Sequence, residues 1–285
     1  MNLPQREEQA RSYWIEQMEA AAAFMSRVLD MPVRDCGEPM VFLPEAVRRA
    51  GVEVVFSDTL LAGRLERRFY LREGLAETFL KAARLMNARG WVLKIEDAYR
   101  CPEMQRSLGA DPDIFSRILD KVFWERRGET PTVELMFRRL SVLIATRAKV
   151  GTHMSGSALD ISVLRSADGE PLERGGPYLE LSERTPMSSP FVPESARQNR
   201  ERISAIMLEC GFVAYPYEFW HYSRGDLFQT VLDPRKPAPR YAPVHLDTAS
   251  GTVSPIREPN EPLHTLEELK RAVREAVEKR NRDTR

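Results

Sequence analysis

The chain has 285 residues, 42% of them hydrophobic, enough to bury a sizeable core, and its 42 basic side chains balance 42 acidic ones. Zero formal charge argues against a protein built mainly to bind nucleic acid. No apolar run approaches the roughly 20 residues of a membrane span, and the opening Met1-Asn2-Leu3-Pro4-Gln5-Arg6 lacks the apolar core of a secretory signal, so a cytoplasmic location without a membrane partner is expected.

In chain order, residues 5–30 read as an amphipathic helix, because Trp14, Met18, Ala22, Met25 and Val28 recur at spacings of three and four between charged residues. Pro32, Gly37, Pro39 and Pro44 then break regular structure, and residues 51–56 form a candidate strand. Residues 72–87 read as a second amphipathic helix burying Leu75, Phe79, Ala82, Ala83 and Met86, with Gly90 available for a left-handed C-cap. A strand over 91–95 leads to Arg100. Pro102 suits a first helical turn, where its missing N–H would have had no partner, and another helical stretch after Pro131 offers Leu135, Leu140, Leu143 and Ile144 to the core. Arg138, Arg139, Arg147 and Lys149 make that stretch basic and are read as a solvated face, with contact to a peptide carboxylate as the sharper alternative.

Residues 157–163 alternate small or apolar side chains with polar ones and predict a strand carrying Asp160, preceded by a loop in which Gly151 and Gly156 bracket His153. A helix over 194–209 stops at Gly211. After Pro216 the aromatic run holding Glu218 and His221 reads as a strand. Strict alternation would send those two side chains to opposite faces, so a bulge or a strand-end turn must bring them together. Seven prolines from Pro234 to Pro262 predict an extended or irregular connection. Leu266, Leu269, Val273 and Val277 then mark a terminal helix capped by Thr265, with Glu267 and Glu268 near its positive end. Packing of this helix onto the body is expected, and contact with a second copy through the N- or C-terminal helix is the alternative. Cys36, Cys101 and Cys210 contain no C-x-x-C pair and predict reduced thiols. His245 and His264 are read as surface residues.

The remaining two of the four histidines fall in compact motifs with acidic companions: His153 with Asp160, and Glu218 with His221. A single His beside Trp220 is more often structural than a ligand, but the joint occurrence changes the odds. Two imidazoles and a carboxylate are ligands that zinc accepts, and a fourth position left to water marks a catalytic site. Metal-assisted hydrolysis is the chemistry they suggest.

The pattern His153-x6-Asp160 followed by Glu218-x-Trp220-His221 resembles the D-alanyl-D-alanine dipeptidases, zinc peptidases related to DD-carboxypeptidases and to the Hedgehog-type fold. Glu96-Asp97-Ala98-Tyr99-Arg100 with Pro102 and Gln105, Ser182-Glu183-Arg184, Asn199-Arg200 and Gly211-Phe212-Val213-Ala214-Tyr215 extend the resemblance over about residues 54 to 235. It implies an α+β fold in which a small, mostly antiparallel sheet carries a zinc site and helices cover it, where periodicity alone would also permit a parallel α/β sheet. The corresponding division is an N-terminal helical extension (1–50), a catalytic domain (51–235), and a Pro-rich connection with a terminal helix (236–285).

Carried over position by position, the resemblance makes His153, Asp160 and His221 the zinc ligands, Glu218 the general base and then acid, and Arg100 the partner of the developing oxyanion. An ion pair of Arg100 with Glu96 or Asp97 is the structural alternative. A small peptide is the implied substrate. The resemblance also implies a Ser two positions before the first ligand and an Asp nineteen residues after the second, both aimed at the substrate's free amino group. Gly151 and Leu179 stand there and offer no side-chain acceptor, with Glu180 as a neighbouring substitute. A DD-carboxypeptidase-like hydrolase of longer or modified peptides is therefore a second reading, and a non-catalytic zinc-stabilised binding domain a third. The presence of Glu218 and Arg100 counts against the third, since structural zinc needs neither.

Overall fold

Leu93, Ile95, Leu159, Ile161 and Val163 are all fully buried and occupy one face of two neighbouring strands, so the fold begins as a sheet seeking an apolar cover. The computed structural model describes residues 3–283. Its main sheet has five strands, Val54–Phe56 (β2), Trp91–Asp97 (β4), Ala158–Arg165 (β5), His221–Ser223 (β7) and Val213–Ala214 (β6), in that spatial order. β2 pairs with β4 in parallel, and the other three ladders are antiparallel. Met40–Phe42 (β1) and Tyr70–Arg72 (β3) form a separate two-stranded ladder.

The apolar face of the sheet is covered by α3 (Glu73–Asn87) and α7 (Glu194–Glu209), whose Phe79, Ala83, Met86, Ile203 and Met207 are fully buried against it. A second core lies among α1 (Leu3–Asp30), α4 (Pro102–Gly109), α5 (Pro112–Glu125), α6 (Val133–Leu143) and α9 (Leu266–Asp283). A third joins the end of α1 to Tyr215 and to α8 (Leu227–Leu232). The short α2 (Leu43–Ala50) follows β1 directly. No helix among the described residues is long and apolar enough to cross a membrane.

Several expectations change. The region between Arg100 and His153 holds three helices rather than two stretches; Asp111 caps α5 by accepting from the N–H groups of Asp113 and Ile114, with Pro112 in the first turn. The basic face of α6 is not uniformly solvated. Arg139 is 1% exposed and donates two hydrogen bonds to Glu125, which also accepts from the Trp14 indole, so one buried ion pair joins α1, α5 and α6. Lys149 is buried and donates to the Leu29 carbonyl. Leu135 is only half-buried, and so is His264, which is no surface residue, whereas His245 is exposed.

The Pro-rich connection contains a short hairpin, β8 (Val244–Leu246) with β9 (Val253–Pro255). Thr265 and Glu268 cap α9 reciprocally, and Leu269 and Val273 bury its apolar face in the second core. A buried Arg72 binds Asp35 and the carbonyls of Ser155, Glu38 and Ala242, tying both flanking segments to the loop that carries His153.

Candidate metal centre

Register brings the acidic and imidazole groups together on the sheet face opposite the apolar core. Asp160 of β5 pairs directly with His221 of β7, while its neighbours Leu159 and Ile161 point into the core. On the other side the β4–β5 ladder shifts between Ile95 and Asp97, so that Asp97 lies opposite Asp160. This irregularity turns a carboxylate that strict alternation would bury with Ile95 toward the site. His153 comes from a 3-10 turn, Thr152–Ser155, which closes at Gly156 with φ of 68°.

The demand placed on Glu218 and His221 is met by a strand-end turn. The expected strand starts only at His221; residues 216–220 are turns, with the His221 N–H donating to the Glu218 carbonyl at 3.2 Å and the Glu218 N–H to that of Tyr215. Both side chains thereby line one cavity, together with Arg100, His153 and Asp160.

One ligand atom from each of His153, Asp160 and His221 lies within 4.8 Å of the others, and all three residues are buried. The hydrogen bonds fix the rings. His153 donates from Nδ1 to the Ala98 carbonyl at 2.6 Å, which leaves the lone pair of Nε2 facing Asp160 Oδ1 at 3.2 Å. His221 meets Thr152 Oγ1 through Nε2 at 2.9 Å and turns Nδ1 to the same Asp160 oxygen at 3.0 Å. A neutral imidazole lone pair against a carboxylate oxygen is stable only with a cation between them, either a further proton or a metal ion. The donor set and its outer hydrogen bonds therefore fit a metal with nitrogen and oxygen ligands.

Burial opposes ionisation of Asp160, but the adjacent His153 and His221 outweigh it and hold its carboxyl well below the usual range. Burial pushes Glu218 well up, the charge of Asp160 adds to this, and Arg100 offsets only part. Two like carboxyls in one cavity are thus driven apart in proton affinity.

Arg100 makes the ion pair of the structural alternative and also reaches Asp160 and Gln105. Its Nε donates to Asp97 at 2.7 Å, so the structural ion pair exists, while Nη2 reaches Asp160 at 3.0 Å and Nη1 reaches Gln105. Glu96 pairs instead with Lys94. The fork still has N–H groups to spare. Gln105 is anchored to the Ile144 and Ala145 carbonyls, which explains its place in the Arg100 motif. Cys101 is buried with its thiol pushed up by burial, contrary to an activated nucleophile beside Arg100.

Gly151 and Leu179 both line the cavity. A side chain at Gly151 would run into the Met154 methyl, 2.4 Å from an ideal Cβ, and Leu179 is held at φ of 60° with its carbonyl bound by Arg117. Glu180 does not stand in for the missing acid: its carboxylate accepts from Ser182 and Arg184 at the base of the loop. Two contributors escaped sequence reading. Tyr178 donates to Asp160 Oδ2 at 2.9 Å from a loop without periodicity, and Thr152 showed itself only by standing next to His153.

These features place the chain among metallopeptidases. The Peptidase_M15 model, described as D-ala-D-ala dipeptidase, matches residues 56–237, and the chain belongs to that family. A D-alanyl-D-alanine dipeptidase of Synechocystis is 28% identical over 226 residues, covering 70% of this chain and 86% of its own. One from Enterococcus faecium is 27% identical over 155 residues, covering 53% of this chain and 71% of its own. One from Escherichia coli is 39% identical over 70 residues, which are 25% of this chain and 36% of its own.

Proposed function

We propose that the protein is a zinc peptidase that hydrolyses short peptides containing D-amino acids, with residues 51–235 as the catalytic domain and 1–50 and 236–285 as extensions. The observation that carries this reading is the convergence of His153, Asp160 and His221 in one cavity with Glu218 and Arg100. His153, Asp160 and His221 would hold the ion, which supplies Lewis acidity toward the scissile carbonyl and makes water acidic enough to ionise near neutral pH. Glu218 accepts the proton of the attacking water and passes it to the leaving amine. Arg100, fixed by Asp97 and Asp160, directs spare N–H groups at the oxygen that gains charge. Ala98 and Thr152 keep the two imidazoles turned to Asp160.

A second reading concerns which peptide. Asp160 and Glu218 are the only carboxylates lining the cavity among the described residues, and both are committed to catalysis. The positions where an amine anchor is expected hold Gly151 and Leu179. This favours longer or N-blocked peptides over free D-alanyl-D-alanine. Zinc-loaded protein should be screened against free and N-acetylated D,D-, L,D- and L,L-dipeptides and longer peptides. An acetylated D,D-peptide is expected to be cleaved at least as well as its free form, since acetylation removes a charge that finds no partner. Turnover of the free dipeptide alone would refute the N-blocked reading, and turnover of none of these peptides would refute the peptidase reading.

A further inference from the structure

Asp97 is fully buried and is shared by two guanidinium groups. Arg100 donates from Nε to its Oδ2 at 2.7 Å, Arg67 Nη1 lies 3.3 Å from the same oxygen, and the Ala98 N–H donates to Oδ1. The Arg67 side chain is 6% exposed and is anchored in the segment between β2 and β3, donating from Nε to the Thr59 carbonyl at 2.8 Å and from Nη2 to Thr59 Oγ1. Its Nη1 is buried and makes no hydrogen bond among the described residues. Toward Asp97, then, Arg67 acts through its charge rather than through an aligned bond.

Arg67 also lies over Tyr178, with Cζ 6.0 Å from the ring centroid. Tyr178 and Arg100 are the two donors to Asp160 Oδ2, while His153 and His221 face Oδ1. Without lining the cavity itself, Arg67 backs both groups that grip the outer oxygen of Asp160, Tyr178 directly and Arg100 through Asp97. The buried charges of this cluster balance, Arg67 and Arg100 against Asp97 and Asp160. A metal ion held by His153, Asp160 and His221 draws on Asp160, which leaves Asp97 as the carboxylate opposed to Arg100. In the absence of Arg67 that carboxylate would fall to Arg100 alone, and less of the guanidinium charge would act on a substrate oxygen.

We infer that Arg67 is a positioning residue for the proposed hydrolysis: by sharing Asp97 it leaves the charge of Arg100 directed at the scissile carbonyl oxygen. This rests on the peptidase reading. The oxygen gains its charge only in the transition state, so loss of Arg67 lowers kcat and leaves KM in place.

Two variants separate charge from bulk. Arg67→Met keeps a long apolar stem and removes the charge, whereas Arg67→Lys keeps the charge. Both are assayed, zinc-loaded, on the peptide that wild type cleaves best, beside zinc content, a thermal melt and calorimetric binding of the phosphinate analogue of that peptide, whose P–O⁻ oxygen stands where the oxyanion develops. The expected result for Arg67→Met is about a tenfold loss of kcat at unchanged KM, about tenfold weaker phosphinate binding, and unchanged zinc content. Arg67→Lys should recover both quantities to within about threefold of wild type. Wild-type kcat in Arg67→Met overturns the inference, as does a loss carried by KM. An equal loss in both variants, or a fall in Tm without a kinetic change, also overturns it by assigning Arg67 to structural support alone. Should wild type cleave none of the screened peptides, the peptidase reading itself fails, a result distinct from an active enzyme indifferent to Arg67.

Discussion

The strand floor and the loop over residues 174–189 border the same site and are held by different forces. In the floor, β4, β5 and β7 are joined by antiparallel backbone ladders, and their apolar face is sealed by α3 and α7. The loop has no ladder. Arg200 of α7, 1% exposed, donates to the carbonyls of Arg174, Arg184 and Pro186 at 2.7 to 2.8 Å, and Thr185 donates to the Glu180 carbonyl. No carboxylate pairs with Arg200 among the described residues; burial and the nearby Arg174 pull its pKa down to about 10. Asp160 and His221 sit on the paired strands, while Leu179, which lines the cavity, and Tyr178, which reaches Asp160, sit on a loop held by guanidinium groups on backbone carbonyls, from Arg200 and Arg117. In the proposed enzyme the metal-binding groups and the wall that meets the substrate would therefore rest on different supports.

If that division holds, the largest losses come from the floor. His221→Ala should remove most of the bound zinc and essentially all hydrolysis, read by elemental analysis after gel filtration and by peptide assay. Tight stoichiometric zinc in a variant lacking His153, Asp160 and His221 would move the metal elsewhere. Next in size, Glu218→Ala should keep zinc and fold but lower kcat by about 10²- to 10⁴-fold, the usual worth of a positioned proton carrier. Arg100→Ala should lower kcat by about 10²- to 10³-fold. It should also cost stability, because Asp97 loses a buried partner. Wild-type turnover in either variant would mean another set of groups performs the reaction.

The smallest catalytic effect is expected from the loop's own support. Arg200→Ala should destabilise the protein by about 2 kcal/mol, since buried carbonyls lose their donors, and should speed proteolysis within 174–189 while zinc content stays intact. Zinc loss on this substitution would show that the loop and the floor are one unit, which would erase the contrast.

How much of this was legible depended on the kind of pattern involved. The helix over 194–209 and the strand that carries Asp160 could be read because apolar spacing and alternation are local properties. The His153, Asp160, Glu218 and His221 set was found through its motif spacing, and the structure brings it into one cavity. Arg139 and Lys149 were misplaced because a charged side chain on a helix looks solvated until its buried partner, Glu125 or the Leu29 carbonyl, arrives from a distant segment. Glu180 looked like a substitute anchor for the same reason: its partners Ser182 and Arg184 are near in sequence, but only the folded loop spends its carboxylate on them.

The amino-acid order by itself determined where the long helices and the strand carrying Asp160 form and which residue types could hold a metal, because backbone preference and ligand chemistry belong to individual residues and their near neighbours. Tertiary structure decided the rest. The ladder shift that sets Asp97 opposite Asp160, the carbonyl of Ala98 that orients His153, and the enclosure that leaves Tyr215 without a partner each arise from chain segments far apart in sequence. Hydrogen-bond geometry and burial are properties of the assembled fold, and no window along the chain contains them.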